Sequence, residues 1–415
     1  GAHPDYVNPD FGAQMTGGST SIHAHWQQLR QVGADVRALL LEAAVGDLSG
    51  DRGSLLTDNG YVINTANGER YPYGKFVATA SKLAAPEGTA LKDPADFKYI
   101  GKQFPRLDGL SKATGTAEYG IDIDVPGMQY AVVQRSPVAG GSVKRSNTEA
   151  AEAMPGVVAV VPVVTGLAVV AEKYWQAKQA AKKLEIEWDL PELASVSTEQ
   201  VRGDYQAAMQ NDDGDSASSE GDVSEALDGA AQRIESEYWA PYLSHAPMEP
   251  MNAVVHVREN DAEVWSGTQG PGAAGGLVAR FAGLDSEQVA SHQTYLGGAF
   301  GRRATLHHVI EATQASMVTG QPVKVVWSRE DDIKSGIYRP ASLMNIKAGI
   351  DEDGNISAWQ AKRVGGNITP ETLKNVLPAM MQHIRVKLRS WSVHPQFRAP
   401  QGPFAPVVSS LSRFF

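Results

Sequence analysis

A glycine-rich segment between a predicted strand and a predicted helix constrains this sequence more than any other feature. Residues 289–295 have the pattern of a β-strand, and a helical pattern begins near Leu306. The connecting residues are Leu296, Gly297, Gly298, Ala299, Phe300, Gly301, Arg302 and Arg303. Glycine permits positive φ and close approach of a ligand, and a helix start offers unpaired N–H groups to an anion. Taken alone, the segment fits a phosphate-binding loop and a tight turn with solvated arginines equally well.

A second glycine-rich loop lies near the start of the chain. It consists of Thr16, Gly17, Gly18, Ser19, Thr20 and Ser21. A helical pattern follows over residues 22–44, with apolar residues at helical spacing, and the three hydroxyl residues 19–21 are candidate N-caps. The sequence therefore contains two loops that could each bind an anion at the start of a helix.

Composition narrows the class of protein. The 415 residues are 42% hydrophobic and 20% charged, which predicts a globular chain of more than one domain. The formal net charge of -10 argues against general binding of nucleic acid, which would require a basic face. Cysteine is absent, so the chain has no cysteine ligands for zinc or for an iron–sulfur cluster. Any such cluster is expected on a partner.

The sequence gives little information about the compartment. No apolar run is long enough to span a bilayer, and the first residues resemble neither a signal peptide nor an initiator methionine. We expect no integral membrane segment and a trimmed start, with the compartment open between periplasm and cytoplasm.

The pattern along the chain suggests several segments. Residues 100–190 alternate short strands with a helix and predict a small α/β domain, with strands at 128–133, 157–164, 167–171 and 184–188 and a helix at 174–184. Residues 191–228 are predicted to be a linker, whose acidic Gly/Ser-rich stretch 211–222 has the composition of a mobile surface loop. Strands and a helix return over 229–365, and residues 366–415 form a divergent tail without a clear pattern.

Further motifs occur in a characteristic order. They are Arg106-Leu107-Asp108, Lys112-Ala113-Thr114-Gly115, Tyr119-Gly120-Ile121-Asp122, Pro126-Gly127-Met128, Arg135-Ser136-Pro137, His245-Ala246-Pro247-Met248-Glu249-Pro250 and Trp327-Ser328-Arg329-Glu330-Asp331-Asp332. Together with the two glycine loops, they resemble the large molybdenum-binding subunit of the xanthine dehydrogenase/aldehyde oxidase superfamily, in particular the isoquinoline 1-oxidoreductase beta subunit type. The resemblance covers about residues 10–365.

The resemblance implies an α+β fold in which parts of a molybdopterin-binding domain flank a small α/β hammerhead domain. Residues 1–95 and 229–365 would be the molybdopterin-binding parts, and 100–190 the hammerhead-like domain. The implied cofactor is molybdopterin cytosine dinucleotide with molybdenum, contacted by Thr16, Gly17, Gly18, Ser19, Ser21, Gly297, Gly298, Ala299, Phe300, Gly301, Arg302 and Arg303. Long dinucleotide cofactors carry a pyrophosphate, which N–H-rich loops from distant parts of a chain can bind.

Two residues are implied to act at the reaction centre. Gln269 matches a glutamine that hydrogen-bonds a molybdenum oxygen ligand, although an ordinary loop residue is the alternative. Phe300 is interpreted either as a wall of the substrate pocket or as a packing anchor. The resemblance also implies an aldehyde or N-heterocyclic substrate, water as the oxygen source, and a separate small [2Fe-2S] subunit as electron acceptor.

Two motifs of the family are missing. No Gly-x-Gly-Glu segment, which would contain the catalytic glutamate, occurs in the sequence, and an upstream Gly-Gln-Gly motif is absent. We expect a fragment or an interrupted product of a longer subunit. The alternative is a catalytically silent remnant or partner-binding scaffold. A generic nucleotide-binding protein ranks last, because GxxxxGK[ST] and a clear GxGxxG fingerprint are lacking.

Histidine and glutamate pairs do not predict a metal site. His245 and Glu249 have a ligand-like spacing, but Pro247 and Pro250 argue against the helix that would bring them together. A second set, His307, His308 and Glu311, lacks an evident third ligand from elsewhere.

Overall fold

The computed structural model describes residues 2–211, 214–366 and 406–411. These residues form two compact units. The N-terminal unit comprises Asn8–Asp10 and Thr16–Ala117, and the larger unit takes residues 2–7, Phe11–Met15 and the described residues from Glu118 onward. Helices and strands are mixed in both units, as the α+β expectation requires.

The N-terminal unit is built on one long helix. Its helices are α1 Thr20–Leu48, α2 Val77–Ala80 and α3 Gly109–Ala113, and its strands are β1 Leu55–Asp58, β2 Tyr61–Asn64 and β3 Arg70–Pro72. The helix predicted over residues 22–44 is confirmed and is longer at both ends. Leu41, Val62 and Phe76 are fully buried where α1 packs on the three-stranded sheet β1-β2-β3.

The segment Asp58-Asn59-Gly60 forms a two-residue hairpin turn. Asp58 pairs with Tyr61, and Asn59 and Gly60 have φ of 45° and 82°. Two consecutive positive φ angles match the twist of the flanking strands, which explains why Asn-Gly is favoured there.

The larger unit contains the remaining elements. Its strands are β4 Gln129–Arg135, β5 Ser142–Asn147, β6 Val157–Val163, β7 Gly166–Ala171, β8 Glu185–Asp189, β9 Asp215–Ser218, β10 Gln232–Ala240, β11 Leu243–Ser244, β12 Asn252–Val257, β13 Ala262–Ser266, β14 Val289–Gln293, β15 Val323–Val326, β16 Tyr338–Arg339, β17 Ser342–Ile350, β18 Ile356–Gly366 and β19 Pro406–Leu411. Its helices are α4 Glu149–Glu152, α5 Tyr174–Ala181, α6 Thr198–Met209, α7 Val223–Asp228, α8 Pro271–Ala282, α9 His307–Thr319 and α10 Arg329–Ser335.

A seven-stranded sheet of order β14-β13-β12-β15-β4-β7-β6 forms the centre of this unit. Successive residues of a strand point to opposite faces, so both faces of β7 can be buried at once. Ala168 and Val170 belong to the core that includes α8 and α9, whereas Val169 and Ala171 pack with α5. The sheet therefore lies between two layers of helix.

This sheet crosses a boundary that the sequence suggested near residue 190. The predicted strands at 128–133, 157–164 and 167–171 are confirmed as β4, β6 and β7, and the helix predicted over 174–184 is α5. However, β4 pairs with β15, so these strands share one sheet with elements from the 229–365 segment. The compact unit begins at Glu118 rather than near residue 100. The hammerhead assignment of residues 100–190 stays a prediction.

The predicted linker 191–228 contains regular structure. Helix α6 buries Tyr205, Ala208 and Met209 against Leu343 and Val364 of the five-stranded sheet β10-β17-β18-β19-β9. The expectation of a surface loop over 211–222 is corrected in part, because β9 forms there by pairing with β19. Backbone pairing does not require the apolar side chains whose absence suggested a loop.

Two further expectations concern the surface and the tail. Most of the tail 366–415 lies outside the described residues. Beyond residue 366, the structure describes only residues 406–411, which form β19. Within the described ranges, no helix has both the length and the apolar composition needed to cross a bilayer.

Candidate functional site

The glycine loop 296–301 follows β14 and is shaped by backbone angles that side chains rarely adopt. Gly298, Phe300 and Gly301 have φ of 97°, 56° and 93°. A short 3-10 turn, Arg302–Ala304, comes next, and α9 begins only at His307. The predicted strand and helix are thus confirmed, but the helix start lies beyond the loop, so its N–H groups do not belong to the glycine segment.

A buried carboxylate, Glu249, supports the loop from beneath. Its Oε2 accepts from the N–H of Gly297 at 2.8 Å and from Nη2 of Arg303 at 2.7 Å. Its Oε1 accepts from the N–H of Ile121 at 3.0 Å and from Nδ2 of Asn252 at 2.8 Å. These four donors satisfy the carboxylate, which makes it a structural anchor rather than a proton acceptor.

Arg303 ties three backbone segments together and has no exposed surface. Its Nε donates to the carbonyl of Gly298 at 2.8 Å, its Nη1 to that of Gly267 at 3.0 Å, and its Nη2 to Glu249. The predicted contact of this arginine with a ligand stays a prediction. The guanidinium fork is directed at the protein's own carbonyl and carboxylate oxygens and holds the loop in place.

Arg302 is also buried, with 2% exposure. Its Nε donates to Asp332 Oδ1 at 2.9 Å, and its guanidinium lies 5.0 Å from the ring of Trp327. Asp332 also accepts from Arg329, which donates to the carbonyls of residues 247–248. Arg302 is thus not a solvated arginine, because its acidic partner comes from a distant segment that local sequence does not reveal. Its predicted contact with a ligand stays a prediction.

Two of the loop glycines have little or no space for a side chain. A Cβ at Gly297 would lie 2.4 Å from Cβ of Glu249. A Cβ at Gly298 would lie 3.1 Å from the Phe300 ring and 3.3 Å from Pro247. The inner side of the loop therefore has no space for side chains, and it is filled by the protein rather than by a ligand.

The next three N–H groups of the loop differ from that of Gly297, which is bonded to Glu249. Among the described residues, no group accepts a hydrogen bond from the backbone N–H groups of Gly298, Ala299 or Phe300. The Phe300 side chain is 72% exposed, which corrects its interpretation as a packing anchor in this structure. Consecutive N–H groups on a backbone that enters the left-handed region form a concavity suited to anionic oxygen.

Gln269 lies directly against the loop. Its amide oxygen accepts from the N–H of Gly301 at 3.1 Å, and its own N–H donates to the carbonyl of Arg303 at 3.1 Å. The backbone N–H of Gly301 can only donate, so the side-chain atom of Gln269 that it contacts is the amide oxygen. The other terminal group of the Gln269 side chain is therefore its NH2 group. The structure thus brings Gln269 and the segment 297–303 together, as the sequence predicts for one site.

The loop Thr16–Ser21 belongs to the N-terminal unit and is described by itself. Gly18 and Ser19 have φ of 55° and 58°, and Ser19 is the N-cap of α1. No side-chain hydrogen bond from Ser19 caps the helix, so its hydroxyl does not fulfil the predicted capping role. Thr20 instead closes the turn by donating to the carbonyl of Gly17 at 2.9 Å. In the described parts of the chain, no side chain caps the N–H groups of the first turn of α1.

The other candidate residues are structural. Glu311 is fully buried and accepts from Arg135 at 2.7 and 2.8 Å and from the Trp327 indole at 2.8 Å. His308 is fully buried; desolvation, Arg302 and Arg303 hold its pKa well below the usual range. In the described parts of the chain, no cluster of three His, Cys, Asp or Glu residues could hold a metal ion.

Sequence reasoning missed the buried ion pairs and the position of His245 beside the glycine loop. The signal for the pairs was present: Glu249 stands between Met248 and Pro250, and charged residues in an apolar context are buried only with a partner. His245 is held beside Gly301 by a hydrogen bond between its Nδ1 and the carbonyl of Ile337 at 3.1 Å.

Comparison with known proteins gives consistent relatives. A family model described as molybdopterin cofactor-binding domain matches residues 206–388. The beta subunit of isoquinoline 1-oxidoreductase from Brevundimonas diminuta is 30% identical over 84% of this chain and 50% of that protein. The B subunit of nicotinate dehydrogenase from Pseudomonas putida is 29% identical over 85% of this chain and 30% of that protein. This chain thus spans half or less of the length of these curated relatives.

One solved structure is similar in part. The quinoline 2-oxidoreductase of Pseudomonas putida 86 matches with a TM-score of 0.49 at 20% identity, over 63% of this chain and 38% of that chain.

Proposed function

From the premise that the chain belongs to the molybdenum-binding subunits of the xanthine dehydrogenase/aldehyde oxidase superfamily, we propose that it is part of an enzyme that hydroxylates N-heteroaromatic compounds or aldehydes. The oxygen comes from water, and two electrons pass to a separate small [2Fe-2S] subunit. The names of the two relatives, an isoquinoline oxidoreductase and a nicotinate dehydrogenase, support the N-heteroaromatic class.

The cofactor proposed is molybdopterin cytosine dinucleotide, and the donor set of the chain fits it. The observation that carries the proposal is the run of N–H groups at Gly298, Ala299 and Phe300, for which no acceptor is found among the described residues. These donors suit the anionic oxygens of the cofactor. When bound, the cofactor supplies the oxidising centre at which the carbon is hydroxylated.

The chain's own residues position that centre. Arg303 and Glu249 fix the loop backbone so that its N–H groups do not need to reorganise when an anionic group binds. The proposal assigns to Gln269 the hydrogen bond to a molybdenum oxygen ligand that the resemblance implies, and its contact with Gly301 supports this position. Phe300 is proposed as an aromatic wall for a planar substrate, in keeping with its exposure.

The iron–sulfur cluster is proposed on the partner because the sequence has no cysteine. Both relatives are named as one subunit of a larger enzyme, which agrees with a multi-subunit assembly. By resemblance, the periplasm is slightly favoured as the compartment.

A silent remnant is the second candidate. It is favoured by the absence of a Gly-x-Gly-Glu segment from the sequence. Glu249 and Glu311 do not replace the missing base, because both carboxylates are buried and occupied by arginine and other donors. This candidate predicts bound cofactor or partner without turnover of any aldehyde or heterocycle.

The test is cofactor loading of the chain co-produced with a small iron–sulfur partner. We expect bound molybdenum and the fluorescence of oxidised pterin, and we expect Gly301→Val to abolish both by obstructing the loop. Gly320→Val is the matched control, because Gly320 also has a positive φ and an added Cβ there would have no atom within 4 Å. Gly320 lies at the end of α9 and not in the glycine loop. Wild-type protein without molybdenum and pterin, or normal loading of folded Gly301→Val, would overturn the proposal.

A further inference from the structure

The five-stranded sheet of the larger unit has two chemically different faces. Strands β10, β17 and β18 lie side by side in antiparallel register, and alternate residues of each strand point to opposite faces. On one face, Trp239, Leu343 and Val364 align across the strands and pack with α6. Helix α7 lies on the same side, because Asp228 at its end pairs with Arg233 at 2.9 Å. We call this the helix-covered face.

The opposite face is apolar over most of its area. Its apolar members, which define the apolar face, are Ile234, Tyr238, Met344, Ile346, Ala348, Trp359 and Ala361. Ser236 lies among them without a charge, and Arg363 stands at one end, across from Met344. The helix-covered face, in contrast, carries Glu235, Glu237 and Lys347. The alternation along the strands therefore marks the apolar face, and not only the helix-covered face, for burial.

The apolar face is not packed into any core of the described chain. In the part that the structure describes, the helices with substantial contacts to β17 and β18 are α6 and α7, both on the helix-covered face. Ile234 and Tyr238 are 43% and 57% exposed. Ala348 and Ala361 are buried, but they belong to none of the hydrophobic cores that the described residues form.

The composition of this face indicates what kind of layer covers it. An antiparallel sheet that faces water carries polar residues on its solvated side. Interfaces between partners that associate transiently are more polar, whereas permanent interfaces resemble the interior of a domain. A face built from aliphatic and aromatic side chains, with its one charge at an end, thus fits a permanently packed apolar layer rather than a transient partner.

We propose that the apolar face is covered by the portion of the molybdenum-binding subunit that the relatives contain and this chain does not span. The family model matches from residue 206 and so includes β10, β17 and β18. The matched part of the Brevundimonas diminuta subunit is 50% of that protein, which leaves about as much sequence again to supply a layer. The inference concerns assembly and goes beyond the reaction and cofactor proposed above.

Thiol labelling tests the proposal, because the sequence has no cysteine and an introduced one is unique. Ile234→Cys and Tyr238→Cys place the thiol on the apolar face. Glu237→Cys, one position before Tyr238 and equally on the exposed surface, places it on the other face and is the matched control. Each variant is produced alone and together with a second polypeptide, the part of the Brevundimonas diminuta beta subunit that this chain does not match. Labelling of the folded protein by a maleimide is followed by mass spectrometry.

The expected result is selective protection. In the chain alone, the thiols of all variants should react at similar rates. With the second polypeptide, labelling of Ile234→Cys and Tyr238→Cys should slow by at least about tenfold, because a closely packed interface excludes solvent. Labelling of Glu237→Cys should keep its rate.

Every other result overturns the assignment. Unchanged labelling of Ile234→Cys and Tyr238→Cys, equal slowing of Glu237→Cys, or failure of the two folded polypeptides to co-purify would each contradict it. Slow labelling of the apolar face in the chain alone would do so too. Slowing that grows with protein concentration would indicate a second copy as the occupant, and slowing independent of concentration would indicate that the chain covers its own face. Labelling measures neither cofactor nor turnover, so these outcomes are separate from those that decide the proposed function.

Discussion

The two glycine-rich loops have similar sequence signatures but obtain their shapes in different ways. The loop Thr16–Ser21 ends directly in α1, and its turn is closed by Thr20 and Gly17, three residues apart. The loop 296–301 is held by Glu249 and Arg303, which connect it to segments 36 to 54 residues away. Glycine content alone therefore indicates a close backbone approach, but not what the backbone approaches.

The two loops also differ in the burial of the groups that hold them. Hydrogen bonds near the first loop join exposed or half-buried residues, whereas the second loop rests on fully desolvated charges. A buried ion pair adds little net stability, but removing one partner leaves a charge that water cannot solvate. The second loop should therefore be far more sensitive to substitution than the first.

Replacement of the buried guanidinium should have the largest effect. Arg303→Met leaves Glu249 buried without its cation and should lower the free energy of unfolding by about 3–5 kcal/mol. Arg258→Met is the matched control, because Arg258 also pairs with two carboxylates but its side chain is 39% exposed; it should cost less than about 1 kcal/mol. Urea denaturation measures both, and similar losses would contradict the contrast.

Acidification should lower the free energy of unfolding through His308, by a smaller amount than Arg303→Met does. The folded-state pKa of His308 lies below its unfolded value, so below about pH 6.5 only the unfolded chain takes up the proton. Stability is complete above that pH and is lost as the pH falls toward the folded-state pKa, at up to about 1.4 kcal/mol per unit.

Two substitutions distinguish the contribution of His308 from that of another histidine. His308→Asn should flatten the fall in unfolding free energy between pH 7 and 5, even if it destabilises the protein overall. His23→Asn, at an exposed side chain in the first turn of α1, serves as the control substitution. The idea fails if the slope of His308→Asn equals that of the wild type.

The smallest effect is expected at the first loop. Gly18 has φ of 55°, and an alanine there should cost about 1 kcal/mol through backbone strain. Gly33→Ala, in the middle of α1 with open space around it, should instead stabilise by about 0.5–1 kcal/mol. Thermal unfolding of the two variants should shift in opposite directions, and a shared direction would disprove the role of the angle.

Local patterns predicted most of the elements but not their assembly. The helix α1, the hairpin at Asn59-Gly60 and strands β4, β6 and β7 follow from periodicity and turn chemistry. The pairing of β4 with β15 joins residues almost 200 positions apart and has no local signature. A sheet buried on both faces also gives apolar runs that do not show which strands are neighbours.

The candidate site was predicted in the same uneven way. The residues of the loop and Gln269 were identified together by motif, and the structure brings them into contact. The direction of the arginines was not predictable, because Arg302 and Arg303 meet Asp332 and Glu249 only in the folded chain. Strand β9 was missed for a related reason, since its pairing depends on backbone rather than on side chains.

Strand β15 lies in the middle of the seven-stranded sheet but comes last of its strands along the chain. On the ribosome, β4, β6 and β7 emerge early and β12, β13 and β14 follow, yet the two halves lack the strand that joins them. Until residues 323–326 have been synthesised, β4 and β12 each present an unpaired edge, the kind of surface that recruits other chains. The nascent polypeptide therefore passes through a long interval in which chaperone protection of these two edges would matter most.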